Sequence, residues 1–126
     1  MLDDAFAELL AEHVSLPGVT IAMSRLPQGS SYPGLVYVPF DDQAPQRLCA
    51  PSPGGSGRVQ VVALAQHAAD VIALHRTLRA QLERYGKRQT ANYTVLNCVF
   101  DRYGPPDKDD DTGVCSKPAD YLITYR

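Results

Sequence analysis

Residues 58–86, RVQVVALAQHAADVIALHRTLRAQLERYG, constrain the fold more than any other stretch, because a β-forming run passes into a long helical pattern with almost no linker. Val59, Val61, Ala63 and Ala65 alternate with Gln60, Val62 and Leu64, so one face of the strand is wholly apolar and the other mostly so. A strand able to bury both faces is central in its sheet, or has its second face covered by another element or subunit. In the helix after it, Ala68, Val71, His75, Leu78, Leu82 and Tyr85 recur at three- and four-residue steps and share a face. Arg76, Arg79, Glu83 and Arg84 form the polar complement. Gly86 is the expected stop, with Lys87 and Arg88 suited to the negative end of the helix dipole. Gln66 and His67 are poor caps, and only Asp70 supplies first-turn chemistry at the start.

A chain of 126 residues is one domain on size grounds, here taken as 1–126, and buries roughly two-thirds of its unfolded surface. It contains no apolar run near the ~20 residues of a membrane span. The start, MLDDAFAELL, is acidic where a secretory signal is basic, so a soluble protein made in the cytoplasm is expected. Cys49, Cys98 and Cys115 form no CxxC pair and read as reduced packing residues. The net charge of −2 selects no partner class, but its distribution is uneven. Residues 76–88 hold five basic residues, Arg76, Arg79, Arg84, Lys87 and Arg88, against Glu83 alone, whereas 101–111 is dominated by aspartate.

In chain order, Asp3 and Asp4 open a short helix with the stripe Leu2, Phe6, Leu9, Leu10 and His13, ended by Pro17-Gly18. Residues 19–23 and 35–40 read as short strands, the second ending or lying at an edge at Pro39. Residues 41–57, DDQAPQRLCAPSPGGSG, form a loop long enough to suggest function or order gained on assembly. Its Gly54-Gly55-Ser56-Gly57 lacks the Lys-Ser/Thr of a phosphate-binding loop and enters a strand instead of a helix. Residues 93–102 form a long strand, with Tyr93, Val95, Asn97 and Val99 on one side and Leu96, Cys98 and Phe100 on the other. Residues 119–125 form the last strand, and 103–118 between them make a long acidic hairpin tip. The order α-β-β-β-α-β-β predicts an α+β fold: a mainly antiparallel sheet of four to five strands flanked by two helices.

Nothing in this pattern is assembled for catalysis, so a non-enzymatic protein without cofactor or metal is expected. His13, His67 and His75 show no HxH, HxxxH or HExxH spacing, and no nucleophile elbow is present. His75, mid-stripe, reads as a buried, hydrogen-bonded core residue, and His13 as an edge-of-core one. Asp107, Asp109 and Asp111 have the 1-3-5 spacing of a calcium loop, but Thr112 stands at the glycine position and Pro118 at the glutamate position. A solvated acidic tip fits better. The basic cluster carries three readings: dipole complementation and solubility, a nucleic-acid surface that would need more aromatics, or a surface matching the aspartate-rich hairpin of a neighbouring copy. Surfaces of opposite sign at different places on one subunit suit a heterologous contact, which closes into a ring when the rotation allows.

Three segments together resemble the tail-terminator (tail-completion) proteins of long-tailed, siphovirus-type bacteriophages and related gene-transfer particles. RLPQGSSYPGLVYVPF resembles that family's "LPQG…P…VY" segment. GGSGRVQVVALAQHAADVIALHRTLRAQL is similar to its "RVQV" strand and main helix, and DDTGVCSKPADYLITYR to its closing "DTG…" turn and aromatic last strand. The resemblance covers most of residues 17–126. It implies a subunit that forms a ring, commonly of six copies, capping the head-proximal end of the tail tube and joining it to the head-completion or connector protein. The implied location is the neck of a virion assembled in the host bacterial cytoplasm, with DNA passing through the lumen without sequence-specific binding and no membrane involved. On that implication, Asp107, Asp109, Asp110 and Asp111 lie at an inter-subunit contact or line the lumen, where negative charge lets DNA pass without sticking.

Overall fold

The computed structural model describes residues 2–26, 32–40, 55–83 and 86–126. The elements are α1 (Leu2–His13), β1 (Thr20–Met23), β2 (Gly34–Pro39), β3 (Gly55–Ala65), α2 (Ala68–Leu82), β4 (Arg88–Gln89), β5 (Thr94–Tyr103), β6 (Asp107–Lys108) and β7 (Cys115–Tyr125). The strands form one seven-stranded sheet in the order β1-β2-β3-β7-β5-β4, with β6 also paired to β7. β1 runs parallel to β2 and every other pairing is antiparallel. The architecture is α+β, but the sheet is mixed and larger than the four to five mainly antiparallel strands expected. The expectation missed the two-residue strands β4 and β6, which are too short to carry periodicity, and the parallel β1–β2 pair.

β3 is central, between β2 and β7, as its two apolar faces require. It begins at Gly55, so residues 55–57 belong to the strand and not to the preceding loop; residues 41–54 lie outside the described residues. Val59, Val61, Ala63 and Ala65 of β3, Ala119, Tyr121, Ile123 and Tyr125 of β7, and Leu35 and Tyr37 of β2 join one buried cluster with both helices. Both helices therefore pack on the same face of the sheet. α1 buries Leu2, Ala5, Phe6, Leu9 and Leu10, and Phe6 meets the Tyr37 ring edge-on at 5.2 Å. His13 is exposed, and its Nε2 lies 2.7 Å from the carbonyl of Gln89. Glu8 ties α1 to the turn after β4: its carboxylate accepts from the Asn92 side chain, the Asn92 amide and the Thr90 hydroxyl, which holds its pKa below the ordinary value.

α2 buries Val71, Leu74, His75, Leu78 and Leu82. Ala68 is exposed, and Tyr85 lies outside the described residues. The helix has no side-chain cap at His67 and ends at Leu82, with Glu83 in extended conformation, four residues before the glycine expected to stop it. In β5, strict alternation fails. Register shifts occur between Val95 and Asn97 and between Phe100 and Arg102. A bulge adds one residue to a strand and reverses the facing of the residues beyond it, so Val95 and Cys98 both point to the core.

β7 runs back through Pro118 to Cys115, although proline usually breaks a strand. The carbonyl of Pro118 accepts from Gly104 at 2.8 Å, so the side of Pro118 that lacks an N–H faces the gap where the chain leaves β5. There a Cβ on Gly104 would lie 2.5 Å from Cγ of the Pro118 ring. Gly104→Ala is therefore expected to destabilise the fold by about 1–3 kcal/mol through overpacking, read as a lower midpoint in urea denaturation. An unchanged midpoint would show that the two segments separate freely.

His75 is 2% exposed, and its Nε2 donates to the carbonyl of Lys117 at 2.5 Å. Burial lowers its pKa below the ordinary 6.5, outweighing the hydrogen bond to Lys117. The unfolded chain takes up a proton near that ordinary value that the folded chain refuses, so acidification below it favours unfolding. His75 thus removes up to ~1.4 kcal/mol of stability per pH unit as the pH falls from about 6.5 toward its lowered folded pKa, with no further loss below that and none well above 6.5. His75→Gln, which can still donate to the Lys117 carbonyl, is expected to flatten the fall in stability between pH 7.5 and 5.5, a range set around ~6.5. Equal slopes in wild type and variant would assign the pH dependence elsewhere.

Candidate interface surfaces

The predicted basic residues do not form one patch. Arg76 is exposed on α2 and makes no ion pair among the described residues. Arg79, one turn later, lies 3.6 Å from Glu83 and stacks its guanidinium 3.9 Å above the Phe100 ring. Lys87 is exposed after the helix, and Arg84 is outside the described residues. Arg88 is only 5% exposed and donates to the carbonyls of Gln81 and Leu82. It satisfies the C-terminal end of α2 from within, which is the dipole-complementing role, and it is not part of the exposed basic surface.

Arg76 and Arg79 instead line a groove of about 520 Å³ beside α2, together with Ile72, His75, Glu83, Tyr103 and Lys117. Local sequence pattern does not group Tyr103 and Lys117 with the helix. The alternation of β7, carried back past Pro118, does reach Lys117, which shares the parity of Ala119 and Tyr121 and so faces the helices. Tyr103 packs edge-on to His75 at 5.5 Å, and the Lys117 ammonium sits 4.6 Å from the Tyr103 ring. Glu83 fixes the far end: its Oε2 accepts from the Phe100 amide at 2.9 Å, on the stretch of β5 beyond its pairing with β4. A second, more apolar groove of about 460 Å³ continues along α2 past Ala68 and Val71 to Pro106 and Asp107, sharing Ile72 and Lys117 with the first.

Among the described residues the groove presents the cations Arg76, Arg79 and Lys117 and the carboxylate Glu83. Cys98, below the sheet's helix-facing surface, has its thiol pushed up to about 12 by burial, so it stays protonated and is a poor nucleophile. Burial also raises the pKa of Tyr121, which meets the Phe100 ring edge-on. Among the described residues, no group of three or more His, Cys, Asp or Glu side chains is placed to hold a metal ion.

The four predicted aspartates sit together on one hairpin. Asp107 lies on β6, paired with Ser116, and its Oδ1 accepts from the Lys108 amide. Asp109 closes the tip: its amide donates to Val114 at 2.9 Å and its carbonyl accepts from Gly113 at 2.7 Å. Its Oδ1 also accepts from the amide of Asp111 at 2.9 Å, an Asx turn that competes with a calcium-ligand role. Gly113 supplies the left-handed backbone, φ +74°, that this turn needs. Asp110 and Asp111 are exposed, and no aspartate of the tip pairs with a cation among the described residues.

The face of the sheet away from the helices carries Gln60, Val62 and Leu64 of β3, half-buried, beside Leu122 of β7. A line of charges crosses it: Arg58 pairs with Asp101, and Arg102 approaches Asp101 at 3.9 Å and Asp120 at 3.4 Å.

No helix among the described residues is long and apolar enough to cross a membrane. No family model and no curated protein matches the chain. Solved structures do. One is a chain of the virion of a native gene transfer agent particle, with a TM-score of 0.65 and 9% identity, covering 84% of this chain and 78% of that one. A second, named only by a sequence identifier, matches with a TM-score of 0.67 and 12% identity over 100% of this chain and 96% of that one. At these identities the likeness is one of fold: this chain shares its fold with a chain of a gene transfer agent virion.

Proposed function

We propose that this chain is a structural virion subunit that closes into a six-membered ring, ends polymerisation of the tail tube and joins the tail to the head connector. The observation that carries this reading is the fold shared with a chain of a gene transfer agent virion over most of both chains. The three segments that resemble tail terminators, in their order along the chain, are consistent with it. The charge layout supports it too: an acidic hairpin and a basic groove at different places on one subunit suit a head-to-tail contact. On this reading the partners are further copies of the chain, the tail-tube protein and the head-completion or connector protein. DNA passes through the ring without sequence-specific contact, and the chain carries out no reaction.

Electron microscopy of the particles is the direct test. A ring of this chain is expected between tube and connector, and deletion of its gene is expected to give tails of uncontrolled length that fail to join heads. Tails of normal, uniform length joined to heads in the deletion strain would refute the stopping and joining roles. Copies found only within the head-completion ring would assign the chain to that position instead.

A further inference from the structure

We infer that the hairpin tip of one copy docks in the α2 groove of the next, setting Asp110 and Asp111 against Arg76 and Lys117. The inference rests on the ring reading and names the contact that would build it.

The groove has an excess of positive charge that the described residues do not neutralise. Of its three cations, Arg79 faces Glu83, Lys117 sits over the Tyr103 ring, and Arg76 has no ion-pair partner among the described residues. Among the described residues Glu83 is the one carboxylate lining it, and that group is already held by Arg79 and the Phe100 amide. The tip has the complementary excess. Asp107 and Asp109 accept from their own hairpin backbone, while Asp110 and Asp111 are exposed without a counter-ion among the described residues. The two surfaces are of opposite sign, yet no cation of the groove pairs with the tip of its own chain.

The shape of each partner agrees. The Asp109 turn and the β6–β7 pairing brace the tip, which lowers the ordering cost of docking. The groove is large enough for two carboxylate side chains. Because tip and groove are different surfaces, the contact is heterologous and repeats from copy to copy.

Charge reversal on the full-length chain tests this directly. One variant carries Asp110→Lys and Asp111→Lys; the other carries Arg76→Glu and Lys117→Glu. Arg76→Glu alone serves as a second groove variant, since Lys117 packs on Tyr103 and its reversal could disturb the fold. Self-association is measured by sedimentation velocity at low salt, with circular dichroism confirming each fold. Wild type is expected to associate, less so as salt screens the contact, and each reversed variant to associate about tenfold more weakly or worse. An equimolar mixture of the two double variants is expected to recover association, because the lysine tip then meets a glutamate groove and the aspartate tip an arginine one.

Folded variants whose mixture fails to recover would overturn the pairing, as would a wild type that stays monomeric at about millimolar concentration and low salt. Groove variants that self-associate normally but are lost from particles would show that another acidic protein fills the groove, which also overturns it. Micrographs separate this inference from its parent: rings that persist with both reversed variants leave the ring reading standing without this contact, whereas wild-type particles with no ring remove both.

Discussion

The antiparallel ladder between β3 and β7, running from Gly55 opposite Tyr125 to Ala65 opposite Cys115, is the constraint on which the rest of the structure depends. Its period of two places Val59, Val61, Ala63, Ala119, Tyr121 and Ile123 on one face, and a slip of one residue would turn the slipped strand's three outward. Only that face carries both helices. β2 and β5 then extend the sheet on its two sides. α2 starts three residues after β3 ends, so the ladder also fixes where its buried stripe lands, across β3, β7 and β5.

The groove arises from the same placement. α2 lies beside the point where β5 gives out and β6 takes over as partner to β7. Pro118 sits at that point because the missing N–H falls in the gap, and Gly104 because nothing larger clears the proline ring. Tyr103 and Lys117, the last helix-facing residues on either side of the gap, become the wall opposite Arg76 and Arg79. The buried His75, bonded to the backbone of Lys117, joins helix and wall.

What could be read from the chain alone was what periodicity controls. Two helices, the central strand and its passage into α2, the buried His75 and the charged hairpin tip all follow from local pattern. The parallel β1–β2 pair does not: parallel neighbours usually need a crossover of a dozen or more residues, and here the connection is only residues 24–33. The bulges in β5 break the alternation that places Val95 and Cys98 on opposite sides. Arg88 reads as one of a basic cluster at the negative end of α2, and its burial follows only from the carbonyls of Gln81 and Leu82 that draw it inward. The groove was the least legible feature, since Arg76 and Arg79 meet Tyr103 and Lys117 only through the sheet order.

The strength of exposed charge pairs bears on how such a subunit would behave. A solvent-exposed ion pair contributes roughly 0.2–1 kcal/mol, and salt reduces it further. A contact made of such pairs, with the contact area around them, holds two free copies only weakly, so chains stay largely apart at about micromolar concentration and associate only toward about millimolar. Around a ring each copy makes the contact twice, and closure turns the last one into an intramolecular event at high effective concentration. A template that already sets the spacing, such as the end of a tube, supplies that concentration from the first copy onward. Weak, polar and repeated contacts thus favour assembly at the template over assembly in solution, which is the order of events that a subunit marking the end of another polymer requires.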